Sequence, residues 1–279
     1  MQVGVVGAGT MGAGIARVCA TAGLQVVLVD IGIEQLKRGQ ERIAESLGRL
    51  EPKGNLPRPA AEIAGRIRTS TAMSDLAKMD FVIEAAFEDA AVKADLFKKL
   101  DAACGPATIL ASNTSSISIT KLAGATKRPD KVVGMHFMNP VPLMPLVEVV
   151  RGLDTSDETV AETVELAKAL GKTPVVVADR PGFVSNRVLM PMINEAAFTL
   201  LEGVADRDAI DTVMKLGMNH PMGPLALADL IGIDVCLDIM NVLQDGFGDS
   251  KYRPCPLLKS MVAAGRLGRK SGRGFYEYA

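Results

Sequence analysis

Cysteine and histidine are scarce in this chain, neither charge sign dominates, and no apolar run is long. The four cysteines, Cys19, Cys104, Cys236 and Cys255, are dispersed with no paired spacing, which argues against a zinc site or a disulfide framework and for reduced thiols. No bound metal is expected. Thirty-one Lys and Arg stand against 32 Asp and Glu, a formal net charge of −1, so no global field draws the chain to nucleic acid or to an anionic membrane. The uncharged runs Met1 to Ala16 and Val132 to Val147 are too short for a membrane span and are interrupted by glycines and prolines. Met1-Gln2-Val3 lacks the basic segment of a secretory leader, so a cytoplasmic location is the default expectation. What remains is an ordinary globular mixture, 48% hydrophobic and 23% charged over 279 residues.

The order of apolar runs predicts an α/β architecture. Gln2 to Val6 reads as a strand, Met11 to Ala22 as a helix stopped by Gly23, and Leu24 to Val29 as a second strand, a unit of parallel strands joined by a crossover helix. Glu34 to Arg68 is charged and helix-prone but broken by Pro52, Gly54, Pro57 and Pro59, which predicts two helices around an exposed turn. Further short apolar runs at Phe81 to Ala86, Thr108 to Ser112, Lys131 to Phe137, Leu146 to Val150 and Thr173 to Ala178 alternate with helical stripes. That alternation implies a doubly wound, Rossmann-type sheet. After Pro181-Gly182 the spacing becomes purely helical, with Pro191 expected to kink the first helix. We therefore expect a dinucleotide-binding domain over 1–182 and a smaller all-helical domain over 183–279. Apolar side chains on several faces of those helices suggest a homodimer through the second domain.

Gly7-Ala8-Gly9-Thr10-Met11-Gly12 is a GxGxxG placed between the first strand and the first helix, where such a turn carries a pyrophosphate. Gly7 suits the tight turn, Gly9 a close approach of backbone to phosphate, and Gly12 close helix packing. Asp30, about twenty residues on at the end of the second strand, is placed to accept from a ribose 2′-hydroxyl and would repel a 2′-phosphate. No arginine follows it in Ile31-Gly32-Ile33, so NAD(H) is favoured over NADP(H).

Only His136 and His220 are available to titrate near neutrality unaided. His136 ends a predicted strand, at the sheet edge where open α/β folds bind ligands; His220, in Asn219-His220-Pro221, reads better as a capping or core-satisfied ring. Glu148 interrupts the apolar strand Leu146-Val147-Glu148-Val149-Val150, where an unpaired carboxylate is costly. His136 is its obvious partner, the other reading being a structural ion pair with an arginine or lysine. Ser112-Asn113-Thr114-Ser115-Ser116 places hydroxyls and an amide at another strand end, as a ligand contact or a set of helix caps. Asn186 is open to the same two readings.

These segments, together with Gly134-Met135-His136-Phe137-Met138-Asn139-Pro140, Pro181-Gly182-Phe183-Val184-Ser185-Asn186-Arg187, His220-Pro221-Met222-Gly223-Pro224 and Gly268-Arg269-Lys270-Ser271-Gly272-Arg273-Gly274-Phe275-Tyr276, run nearly end to end. The chain so resembles the short-chain L-3-hydroxyacyl-CoA dehydrogenases, and among them the bacterial 3-hydroxybutyryl-CoA dehydrogenases. The resemblance implies a catalytic pair His136 and Glu148, with Ser115 and Asn186 holding the reacting oxygen and the substrate. It implies that Glu88, Lys93, Asn113, Ser115 and Asn139 contact the dinucleotide, along with Gly7, Gly9, Thr10, Met11, Gly12 and Asp30. It also implies basic residues in the helical projection for the phosphates of an acyl-CoA thioester. Here Lys53 is the first candidate and Arg49 the second, although Glu51-Pro52 stands where the family carries a denser lysine cluster. The implied reaction is reversible hydride transfer between a 3-hydroxyacyl-CoA and NAD. Two other readings keep the fold: an NAD-dependent dehydrogenase of a non-CoA hydroxy or sugar acid, and a non-catalytic dinucleotide-binding protein.

Overall fold

The computed structural model describes residues 1–278, with Lys53 described by its backbone alone. The chain folds as two compact units, one ending at Asp179 and one beginning at Arg180.

In the first unit, strands β1 (Gln2–Val6), β2 (Gln25–Val29), β3 (Ile67–Ser70), β4 (Phe81–Glu84), β5 (Ile109–Ser112), β6 (Val132–Phe137), β7 (Leu146–Arg151) and β8 (Thr173–Ala178) form one sheet in the order β3-β2-β1-β4-β5-β6-β7-β8. Helices α1 (Thr10–Thr21), α2 (Ile33–Gly48), α3 (Ala60–Ala64), α4 (Ala90–Ala103), α5 (Ile119–Ala123) and α6 (Asp157–Ala169) connect them. Strands buried on both faces need apolar side chains pointing both ways, hence the unbroken runs rather than an alternating pattern. Val3, Val5, Leu28, Val82, Ile83, Leu110, Val133 and Val149 are all fully buried. The order reverses between β1 and β4, the switch point at whose carboxyl edge doubly wound sheets hold ligands.

Two features differ from the sequence expectation. The Glu34 to Arg68 stretch holds the long α2 and the short α3, but it leads into β3, whose Ile67-Arg68-Thr69-Ser70 is too short and too polar to read as a strand. It is an edge strand, paired only with β2, so it needs little apolar surface. The sheet is also mixed. β6 and β7 are antiparallel while β7 and β8 are parallel; only residues 138–145 separate β6 from β7, fewer than a parallel crossover needs.

The second unit packs α7 (Ser185–Leu201), α8 (Arg207–Gly217), α9 (Pro224–Ile231), α10 (Ile233–Phe247) and α11 (Pro256–Ala263) around Ile193, Ala197, Leu225, Ile233, Cys236, Leu243 and Leu258. α7 is continuous through Pro191. Buried polar groups here close on the backbone. Asp211 accepts from Leu225 and Ala226 N–H at the start of α9, both at 2.9 Å. Asp229 accepts from Phe275 N–H, Tyr276 N–H and the Tyr278 hydroxyl, each at 2.9 Å. A Cβ on Gly274 would lie 1.9 Å from Asp229 Oδ1, which accounts for glycine in the C-terminal Arg273-Gly274-Phe275 segment. No helix among the described residues is long and apolar enough to cross a membrane.

Candidate active site

The glycine-rich turn joins β1 to α1. Gly7 sits at φ +100, and a Cβ there would lie 2.6 Å from Ala85 O; a Cβ on Gly12 would lie 1.7 Å from Gly7 O. The protein's own packing thus demands both glycines. Gly9 is different, because a Cβ there would meet nothing within 4 Å. It also precedes α1 without any side-chain cap, so the helix N-terminus, with Thr10 and Met11 in its first turn, faces open space with its positive end. Asp30 closes the turn from the side. Its Oδ2 accepts from Ala8 N–H at 2.7 Å and its Oδ1 from Gly32 N–H at 3.2 Å. An uncapped helix start, an unfilled space at Gly9 and a carboxylate at the end of β2 fit the pyrophosphate and ribose of a dinucleotide.

At the next strand ends, His136 on β6 and Glu148 on β7 are direct cross-strand partners, which puts their side chains on one face of the sheet. His136 Nδ1 lies 2.8 Å from Glu148 Oε2, and both residues are buried. A carboxylate only accepts, so Nδ1 carries the proton and Nε2 is the basic nitrogen. Toward Nε2, at 3.0 Å, the Ser115 hydroxyl donates from the turn after β5. Three of the sequence-predicted residues, from three consecutive elements of the sheet, therefore form one hydrogen-bonded chain. Of the two partners open to Glu148 on sequence, histidine or a basic side chain, the geometry supplies the histidine.

The turn bearing Ser115 is itself held. Asn113 Oδ1 accepts from Phe137 N–H at 2.9 Å, tying it to the end of β6. Glu88 Oε1 accepts from Ser115 N–H at 2.9 Å and from the Thr114 hydroxyl. Lys93, on α4, is 1% exposed and not on a solvated helix face. Its Nζ lies 2.6 Å from Glu84 Oε1 and 3.2 Å from Glu88 Oε2. Glu84, the last residue of β4, has no exposed surface and was not singled out by the sequence, although a carboxylate closing the apolar run Phe81-Val82-Ile83 is the same signal that marked Glu148.

Arg49, at the C-cap of α2, is exposed and paired with Glu45. It lines a cavity of about 460 Å³ with Arg17, Arg42, Ser46, Thr10, Asn139 and neighbouring apolar residues of the same unit. Arg17 is buried and donates from Nη1 to Ser46 Oγ at 2.9 Å; neither residue was anticipated, since an arginine inside an Ala-rich helix reads as a solvated position. The side chain of Lys53 lies outside the described residues. Asn186 is the second residue of α7 in the other unit and is not its cap, a position Val184 occupies. His220 is half-buried in the α8–α9 connection, its backbone N–H on Met214 O at 3.2 Å.

With this geometry in place, comparison with known proteins is decisive. Residues 2–180 match the family model of the 3-hydroxyacyl-CoA dehydrogenase NAD-binding domain and residues 182–278 that of the 3-hydroxyacyl-CoA dehydrogenase C-terminal domain. The chain belongs to the 3-hydroxyacyl-CoA dehydrogenase family. It is 58% identical over 278 residues to a protein of Deinococcus radiodurans named probable 3-hydroxybutyryl-CoA dehydrogenase, all of both chains being covered. It is 54% identical to the 3-hydroxybutyryl-CoA dehydrogenase of Bradyrhizobium diazoefficiens, over 99% of this chain and 95% of that one. Among solved structures it superposes on (S)-3-hydroxybutyryl-CoA dehydrogenase from Ralstonia eutropha with a TM-score of 0.97 at 54% identity, covering 100% of this chain and 99% of the other. The protein is thus an NAD-dependent oxidoreductase of the 3-hydroxyacyl-CoA dehydrogenase type.

Proposed function

We propose that the protein interconverts 3-hydroxybutyryl-CoA and acetoacetyl-CoA, with His136 as the general acid and base. The chain Ser115–His136–Glu148 is the observation that carries this reading. In the oxidation direction His136 Nε2 takes the proton of the C3 hydroxyl; in reduction the same nitrogen returns it to the developing alkoxide. Bound NAD+ supplies the acceptor for the C3 hydride. Glu148 keeps the proton on Nδ1 and stabilises the imidazolium formed when Nε2 is protonated. The Ser115 hydroxyl, and the amide of Asn186 as a further polar contact, support the C3 oxygen and the thioester. One such donor contributes about 3 kcal/mol to transition-state stabilisation. Gly7, Gly9, Thr10, Met11 and Gly12 would hold the pyrophosphate, Asp30 the ribose hydroxyls, and Glu88, Lys93, Asn113 and Asn139 the nicotinamide half. Lys53 and Arg49 are assigned to the phosphates of CoA, with the arginine-lined cavity beside Arg49 supporting that side of the reading.

The same reading makes the protein a cytoplasmic homodimer, joined through the helical unit. Exposed Val213, Leu216 and Met218 on and just after α8 favour such a contact; sedimentation equilibrium at micromolar concentration tests it, and a monomer would remove it. For the reaction, loss of reduced-nicotinamide absorbance is followed with acetoacetyl-CoA and NADH, then with NADPH, then with free acetoacetate. Turnover of the thioester with NADH alone is the expected result. Equal use of NADPH would overturn the Asp30 assignment, and equal turnover of free acetoacetate would overturn CoA recognition.

A further inference from the structure

Glu84 and Lys93 form an ion pair that is almost wholly removed from solvent, with side-chain exposures of 0% and 1%. A buried pair of this kind is poor evidence for stability, because desolvating two charges offsets most of their attraction. What the pair does hold is specific. Glu84 Oε1 also accepts from Ala86 N–H at 2.6 Å, and Oε2 accepts from the Ser112 hydroxyl at 2.7 Å. Ser112 Oγ in turn accepts from Thr114 N–H at 3.2 Å. On the other side, Lys93 reaches Glu88, whose Oε1 takes Ser115 N–H. Two arms thus run from one carboxylate to the turn 112–116, one through Ser112 to Thr114 and one through Lys93 and Glu88 to Ser115. The main chain adds a third tie, Asn113 N–H to Glu84 O at 2.8 Å. The next residue, Ala85, is the one whose carbonyl excludes a side chain at Gly7, so Glu84 stands where the nucleotide turn and the serine turn meet.

We propose that Glu84 is a positioning residue for the reaction: by clamping both sides of the 112–116 turn it sets the Ser115 hydroxyl at hydrogen-bond distance from His136 Nε2. Glu84 acts on the proton transfer through Ser115. The inference rests on the reading of Ser115 given under the proposed function.

The test is a double-mutant cycle on kcat, measured with saturating NADH and acetoacetyl-CoA, on the whole chain. Glu84→Gln, Ser115→Ala and the two together are compared with the parent, with melting temperature recorded for each. If Glu84 works through Ser115, Glu84→Gln lowers kcat about tenfold in the parent and less than about twofold when Ser115 is already alanine. A merely structural role would give the same factor in both backgrounds, and that result overturns the proposal. If Ser115→Ala alone leaves kcat unchanged, the reading of Ser115 fails and the proposal falls with it; full multiplication beside an impaired Ser115→Ala sinks the proposal alone. Should Glu84→Gln not fold because Lys93 loses its nearer partner in a buried site, Ser112→Ala takes its place in the cycle. It removes one arm and no charge, and is expected to cost about threefold in the parent and nothing measurable beside Ser115→Ala.

Discussion

Both units bury carboxylates, and they use them in opposite ways. In the helical unit Asp211 and Asp229 are met by backbone N–H groups and tyrosine hydroxyls of the same unit. In the sheet unit Glu148 and Glu84 are met by His136 and Lys93, which also reach outward to Ser115 and Glu88. A buried acid satisfied by backbone ends a network and fastens a fold. One satisfied by an ionisable side chain passes its influence to another atom, and at the carboxyl ends of sheet strands that atom faces the ligand.

Four outcomes would break or sharpen this contrast. Glu148→Gln replaces an acceptor by an amide that can present N–H to Nδ1, favouring the wrong tautomer; kcat should fall about a thousandfold while the melting temperature stays within a few degrees. Ser115→Ala removes one donor at the reacting oxygen and should lower kcat about a hundredfold, again with little change in melting. Asp229→Asn should do the reverse. Losing charge-assisted bonds to Phe275 and Tyr276 should destabilise the chain by about 2 kcal/mol, seen as a melting temperature lower by about 5 °C, with kcat per folded molecule within about twofold. A large loss of kcat there without a change in melting would erase the distinction between the units. The smallest effect concerns the thiols. Burial pushes Cys19 and Cys236 up to about 12 and Cys104 up to about 11, and raises Cys255 as well. Because only the thiolate reacts, the native chain at pH 8 should resist alkylation for hours and react only on unfolding, as read by intact mass.

How far this was legible in the sequence follows from the same physics. The strands of the sheet interior, the GxGxxG turn and the pairing of His136 with Glu148 were readable because each breaks or sustains a simple pattern: a buried run stays apolar, and a charge inside it needs a partner. β3 was not, since an edge strand needs no such run. The reversal of β7 was implicit only in the short connection after Phe137. Glu84 carried the same mark as Glu148 but lacked a visible partner, because Lys93 lies in the first turn of a helix that meets the strand end only in the fold. The role of Arg17 depends on Ser46 meeting it across two helices, a contact no spacing rule encodes. The start of the second unit falls at Arg180, a few residues before the change of periodicity near Phe183. Asp179 is bound back to Ser118 and Thr120 in the first unit, whereas Gly182 O already accepts from the first turn of α7.

The central claim is that His136 moves the proton and that the rest of the site arranges it to do so. The measurement that meets it most directly pairs the steady-state rate of His136→Gln, with NADH and acetoacetyl-CoA, with the NADH dissociation constant of the same variant from fluorescence titration. The account predicts a kcat lower by about four orders of magnitude and an NADH affinity within about twofold of the parent. A variant that binds NADH normally and still turns over within tenfold of the parent would contradict it.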